Sequence, residues 1–438
     1  MAAWWSGTPV PGHEKARALA RRLLDTGIAH PVPGAATWGP DDVTVVIPVR
    51  DRQAELARCL AGLTDRAGLT DRAGLTGVPP VIVVDDGSDD PAAVARTASR
   101  AGARVLRRAV NGGPAAARNT GLAAADTPLV AFLDSDCVPG PGWLDALLPH
   151  FADPAVGAVA PRIVPHEPGR TWLARYEGAS STLDMGARAS IVRPGSRVPY
   201  VPGAALVVRR DAAGTGFTED MRVGEDVDFV WRLAASGWRV RYEPAATMRH
   251  QHRVRLRRWF GRRKDYGTSA AILEQRHPGT VRPLYTSAWT TVAWLAAAAG
   301  RPAAGAACTG ASVALLARRL TRVTGEQWPT ARTAWSLAAR LAGGGTLTAG
   351  RPLGSAISRT WWPLALPAAV AGRRLRAPLA VLVLAPPLLD WLDRRPPLDP
   401  ARYVAARLLD DLAYSLGVWQ GCAGHRTIRP LLPELTGK

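Results

Sequence analysis

The chain has 438 residues, enough for one large packed domain and a second region. Its 55 basic residues outnumber 36 acidic ones, for a net charge of +19, and only Lys15, Lys264 and Lys438 are lysines. Such a charge favours anionic membranes or phosphorylated ligands. Nucleic acid is the weakest partner, because the arginines form no binding module with interleaved aromatics.

Cys59, Cys137, Cys308 and Cys422 lie far apart without a C-x-x-C pair, which reads as four free thiols in a reducing cytoplasm. Met1 to Ala20 lacks the apolar stretch of a signal peptide, which argues against secretion.

In chain order, residues 14–28 have apolar positions at helical spacing, and the Pro/Gly-rich stretch 30–40 reads as a linker. From Asp42 apolar runs alternate with helical segments: VTVVIPV, QAELARCLAGL, VIVVDD, PAAVARTASRAG and PLVAFLDSD. That alternation predicts an α/β fold, with a mostly parallel sheet covered by helices on both faces and ligands at the strands' C-terminal ends. Residues 62–77 repeat a hexapeptide, GLTDRA, which reads as an expansion in a surface loop.

Beyond His252 comes a basic, aromatic segment and then Ala-rich sequence, with apolar runs at 288–300, 303–317, 361–371 and 377–389. Each is shorter than the roughly 20 residues that span a bilayer. Flanking Arg and Trp suit the membrane interface, and a soluble helical bundle is the alternative. The predicted organisation is a helix and linker over 1–40, a catalytic domain over 41–280 and a helical region over 281–438.

Three acidic constellations carry the chemistry. Asp85-Asp86-Gly87-Ser88 sits where a strand turns into a helix, and reads either as a nucleobase contact or as a helix cap. Asp134-Ser135-Asp136 follows a buried strand, where two carboxylates suit Mg²⁺ or Mn²⁺ carrying a diphosphate. Glu225, Asp226 and Asp228 open a helix, either to favour its dipole or to supply a base for an attacking hydroxyl.

In this order and spacing, VTVVIPVRDR, VIVVDDGSDD, NGGPAAARNTGLAAADTPLVAFLDSD, PGAALVVRRD and GEDVDFVWRLAASG closely resemble family 2 glycosyltransferases of the GT-A (Rossmann-like) fold. The resemblance implies inverting transfer from a nucleoside-diphosphate sugar, normally UDP-linked, with a divalent metal. It puts Pro48, Asp51, Asp86 and Arg118 at the nucleotide, with Asp85 in support. Asp134 and Asp136 fall at the metal and diphosphate, Gly203 and Ala204 beside the sugar and acceptor. Asp226 falls at the catalytic base, with Glu225 and Asp228 around it. His250 falls at a metal or diphosphate position, close to His252. The segment Arg255 to Trp259 resembles an element of processive members.

The flanks ARALARRLLDTGIAHPVP and HRVRLRRWFGRRKDYGTSAAILEQRHPG narrow the resemblance to the mycofactocin-system glycosyltransferases. That implies glucose moving from UDP-glucose onto a peptide-derived redox cofactor, mycofactocin or its precursor, as a β-linked oligosaccharide at the cytoplasmic face of the membrane. A lipid or polysaccharide acceptor and a non-catalytic membrane-surface binding protein are the competing expectations.

Overall fold

The computed structural model describes residues 8–64, 77–167, 169–251, 255–324 and 331–436. Most of the hexapeptide duplication, and His252, lie outside them. The chain forms two compact units, residues 1–170 with 177–253, and residues 171–176 with 254–438.

The first unit begins with helix α1 (Glu14–Thr26), closed by Gly27 at φ 73°. Strands β1 (Val43–Val49), β2 (Val81–Asp86), β3 (Arg104–Arg108) and β4 (Leu129–Leu133) alternate with helices α2 (Gln53–Thr64), α3 (Pro91–Arg100) and α4 (Gly113–Ala123). There follow β5 (Cys137–Pro139), α5 (Trp143–Leu147), β6 (Val156–Pro165), α6 (Trp172–Ser180, whose residues to Tyr176 belong to the second unit), β7 (Ser190–Val192), β8 (Ala205–Arg209), α7 (Glu225–Ala235) and β9 (Arg239–His250). The sheet order is β3-β2-β1-β4-β8-β6-β9-β5, with β7 also on β9.

The predicted parallel arrangement holds over β3-β2-β1-β4. Beyond it the sheet is mixed, since β8 runs antiparallel to both β4 and β6. Val43, Val45, Ile47, Val83, Leu129 and Val207 share one core with α2, which accounts for the uninterrupted apolar runs of the strands.

This topology gathers the acidic motifs. Parallel β1, β2 and β4 end on one edge, delivering Asp51, Asp85-Asp86 and Asp134 together. Leu133 pairs with Ala205, so antiparallel β8 starts at that edge and brings Gly203-Ala204. Cys137 pairs with His250, so β9 ends beside Asp136.

In the second unit, α8 (Leu256–Arg276) packs along the C-terminal helix Pro400–Gly424. The crossing is close because a Cβ on Gly267, Gly417 or Gly421 would strike the facing backbone, at Tyr414, Lys264 and Thr268 respectively. Trp259 is buried here, edge-on to Tyr176 and beneath Arg263, so it serves this unit's core. A parallel pair, β10 (Tyr285–Ser287) and β11 (Glu434–Thr436), ties the start of the unit to its end.

The unit's interior is charged. Asp410 meets Tyr176 Oη at 3.0 Å and Arg263 at 3.2 Å, and Asp411 accepts from Ser358 Oγ at 2.6 Å and pairs with Arg407.

Gly417→Ala forces α8 and its partner helix apart. The expected loss is about 1–3 kcal/mol, seen in calorimetry as a lowered melting transition. An unchanged transition would contradict the close crossing.

Candidate active site

The nucleotide-edge residues form one hydrogen-bonded corner. Asp51 adopts φ 52°, a left-handed conformation that costs a non-glycine residue energy. The surroundings hold it there: its N–H donates to Ser88 Oγ at 3.0 Å, and its Oδ1 accepts from the Asp89 N–H at 2.7 Å. Pro48, on β1, is partly exposed just before it.

Asp85 and Asp86 are buried and already engaged. Asp85 accepts from the Ser88 N–H at 2.9 Å and from Arg107 at 2.6 Å. Asp86 accepts from Arg108 Nε and from the N–H groups of Gly112 and Gly113, at 2.9, 3.0 and 2.7 Å. The cap of α3 is Asp90 rather than this motif, and Asp86 instead fixes the start of α4.

Five residues into α4 stands Arg118, only 3% exposed. Its Nη2 donates to Asp134 Oδ1 at 2.7 Å and its Nη1 to Glu225 Oε1 at 3.0 Å. Phe217 lies against the guanidinium at 5.3 Å, and Asn119 holds the Phe217 backbone by both N–H and C=O. Burial opposes the Arg118 charge, but Asp134 and Glu225 more than restore it. The guanidinium thus joins two members of the acidic cluster.

Glu225 is buried, and burial, then the neighbouring Asp226 charge, pushes its carboxyl up to about 7. Asp226 is partly exposed, and its carboxylate accepts the Gly203 N–H and the Val227 N–H, each at 2.8 Å. A Cβ on Gly203 would come within 2.9 Å of Asp226 Cβ and 3.4 Å of Arg118 Cζ, so the turn approaches the site only as glycine. Ala204 is buried, and its carbonyl accepts the Asp134 N–H at 2.9 Å. Asp228 does not join this group. It is fully buried on the far side of the helix turn, paired with Arg232 and Thr218.

Asp136 and His250 meet at 3.4 Å, and Arg52 closes on the other Asp136 oxygen. Burial disfavours the Asp136 charge, yet His250 and Arg52 outweigh it and hold this carboxyl well below the ordinary range. Among the described residues no three acidic, histidine or cysteine side chains converge as a metal cage. The trio Asp134, Asp136 and His250 is therefore divided, because Asp134 turns to Arg118. The Asp136–His250 pair is a two-donor set that fits a divalent ion completed by phosphate oxygens and water.

Sequence reasoning missed Arg52, Arg107 and Arg108, which neutralise the three interior carboxylates. The signal was available, since buried acids at strand ends require cations close by. Cys59 and Cys137 remain free thiols, their ionisation suppressed by burial and then by Asp136 and Asp134.

Residues 44–217 match the family described as Glycosyl transferase family 2. A pre-mycofactocin glycosyltransferase from Mycobacterium tuberculosis is 42% identical over 429 residues, covering 95% of this chain and 87% of that protein. The chain belongs to glycosyl transferase family 2. The transferase is also 32% identical over 219 residues to the succinoglycan biosynthesis protein ExoU of Rhizobium meliloti, covering 46% of this chain and 59% of that one. Among solved structures, the mannosyltransferase PcManGT from Pyrobaculum calidifontis, with GDP-Man and Mn²⁺, aligns over 75% of this chain and 94% of its own. The identity is 20% and the TM-score 0.42.

Two outcomes follow for the transferase. Gly203→Ala displaces Asp226, and sugar transfer is expected to fall about 100-fold with an unchanged circular dichroism spectrum; retained transfer would refute the close approach. The raised Glu225 value means the folded state keeps a proton that the unfolded chain releases between 4.5 and about 7. Stability therefore falls as pH rises through that window. Urea unfolding across it should show this slope in the wild type and its loss in Glu225→Gln.

Proposed function

We propose that the protein transfers glucose from UDP-glucose, with inversion, onto the peptide-derived redox cofactor mycofactocin or its precursor, building a β-linked oligosaccharide. The work is done at the cytoplasmic face of an anionic membrane. The 42% identity to a pre-mycofactocin glycosyltransferase supports the acceptor. The observation that carries the chemistry is Asp226, a partly exposed carboxylate fixed by two backbone N–H groups beside Gly203.

Asp226 accepts the proton of the acceptor hydroxyl as its oxygen bonds to the anomeric carbon. The bond from that carbon to the diphosphate breaks on the opposite face, so the configuration inverts. Arg118 acts from below, holding Asp134 and Glu225, while Pro48 and Asp51 border the nucleotide. Asp136 and His250 would hold a divalent cation, Mn²⁺ or Mg²⁺, which when bound offsets charge on the departing diphosphate. Gly203 and Ala204 form the wall against which sugar and acceptor lie. Asp85, Asp86 and Asp228 keep this frame in place.

A lipid or polysaccharide acceptor is the second reading, favoured by the apolar exposed helix Arg373–Arg394.

The test is UDP release by purified protein given UDP-glucose, Mn²⁺ or Mg²⁺ and a synthetic mycofactocin precursor. The wild type should release UDP only with acceptor, and Asp226→Asn should lose about 10²–10⁴-fold. An Asp226→Asn variant as fast as wild type overturns the mechanism. Turnover with lipid extracts but not with the precursor overturns the acceptor.

A further inference from the structure

The second unit buries charged Asp410, Asp411 and Arg263 among its small apolar side chains, while two of its helices leave large apolar side chains exposed. Asp390 accepts from the buried Tyr403 Oη and from the exposed Arg394, and Arg407 joins it to the buried Asp411. On the same helix, α9 (Arg376–Arg394), Val381, Leu384, Leu388 and Leu392 recur at helical spacing and are all exposed, Val381 by 63%. The stretch Arg373–Arg394 has a mean hydropathy of 1.5 over its apolar window, only 6% of which is buried. Just before it, helix Trp362–Ala371 exposes Leu364, Leu366 and Val370. Water does not favour such a continuous apolar face on a folded chain.

Charge decides what covers it. Between Ala288 and Leu389 the sequence holds 11 arginines and a single acid, Glu326. Arg373 and Arg374 are exposed at the turn linking the two apolar helices, and Trp289 and Trp335 are exposed on the same unit. Apolar stripe, arginine rim and exposed tryptophans together are complementary to an anionic lipid surface.

By length and composition the helix Arg373–Arg394 could cross a membrane, but its charges set the depth. Between Arg376 and Asp390, which Tyr403 holds within the protein, the uncharged run from Ala377 to Leu389 reaches roughly 20 Å as a helix, short of the roughly 30 Å hydrocarbon core. We infer that the outward face of Trp362–Ala371 and α9 embeds in one leaflet of an anionic bilayer, with Arg373 and Arg374 on the phosphates and the charged core kept within the protein. This rests on the reading that the enzyme works at a membrane, and specifies the face and depth of its contact.

The experiment is flotation of the full chain, without donor or acceptor, on vesicles of phosphatidylcholine alone or mixed with phosphatidylglycerol. Wild type should float with the mixed vesicles. Arg373→Gln/Arg374→Gln should reduce partitioning roughly 25-fold, about fivefold per arginine. Val381→Asp/Leu384→Asp/Leu388→Asp alters exposed positions only, and should stay in solution with an unchanged circular dichroism spectrum. Wild type that never floats overturns the inference, and so does a triple variant that floats equally well. Self-association of wild type without flotation, lost in the triple variant, assigns the face to a second copy and also overturns it. UDP release is measured separately without vesicles, so a failed docking surface and a failed transferase mechanism give different results.

Discussion

The site depends on a single buried cation. Arg118 ties Asp134, at the end of β4, to Glu225, at the start of α7, two elements 91 residues apart for which the sheet alone provides no link. Removing Arg118 costs about 3–5 kcal/mol, because the buried Glu225 is left without its cation. Asp86 caps α4 and so sets the height of Arg118. Phe217 bounds the guanidinium, and Gly203 lets the chain pass close enough to give its N–H to Asp226. Each of these residues acts by fixing where two acids stand.

The sheet explains why acids collect there at all. Three parallel strands end on one edge, and the switch to antiparallel β8 and the return along β9 bring Gly203 and His250 to that edge. An edge so rich in carboxylate must be neutralised, and Arg52, Arg107, Arg108 and Arg118 divide that work. Asp226 is among the carboxylates that remain partly exposed. The second unit differs, since Asp410 and Asp411 are paired inside while the leucines of two helices are exposed.

Much of this was legible in the sequence. Uninterrupted apolar strands announced buried parallel β-structure, and DDGS, DSD and GEDVD marked the strand and helix ends where the acids fall. Which acids are already bonded within the protein was not legible, because Asp86 and Asp226 look alike in one dimension. Only the packing of α4 shows that Asp86 is consumed by Gly112, Gly113 and Arg108. Asp228 likewise sits one half-turn from Asp226 and is buried. For α9 the sequence left a membrane interface and a soluble bundle both open, because spacing alone does not say that Val381, Leu384, Leu388 and Leu392 are the exposed face.

The most direct measurement is a double-mutant cycle on sugar transfer with Arg118→Met, Glu225→Gln and the pair combined. If Arg118 acts by positioning Glu225 and Asp134, the losses are strongly non-additive, and the double variant is close in activity to Arg118→Met alone. Losses that simply add would contradict the account, since Arg118 would then act independently of Glu225.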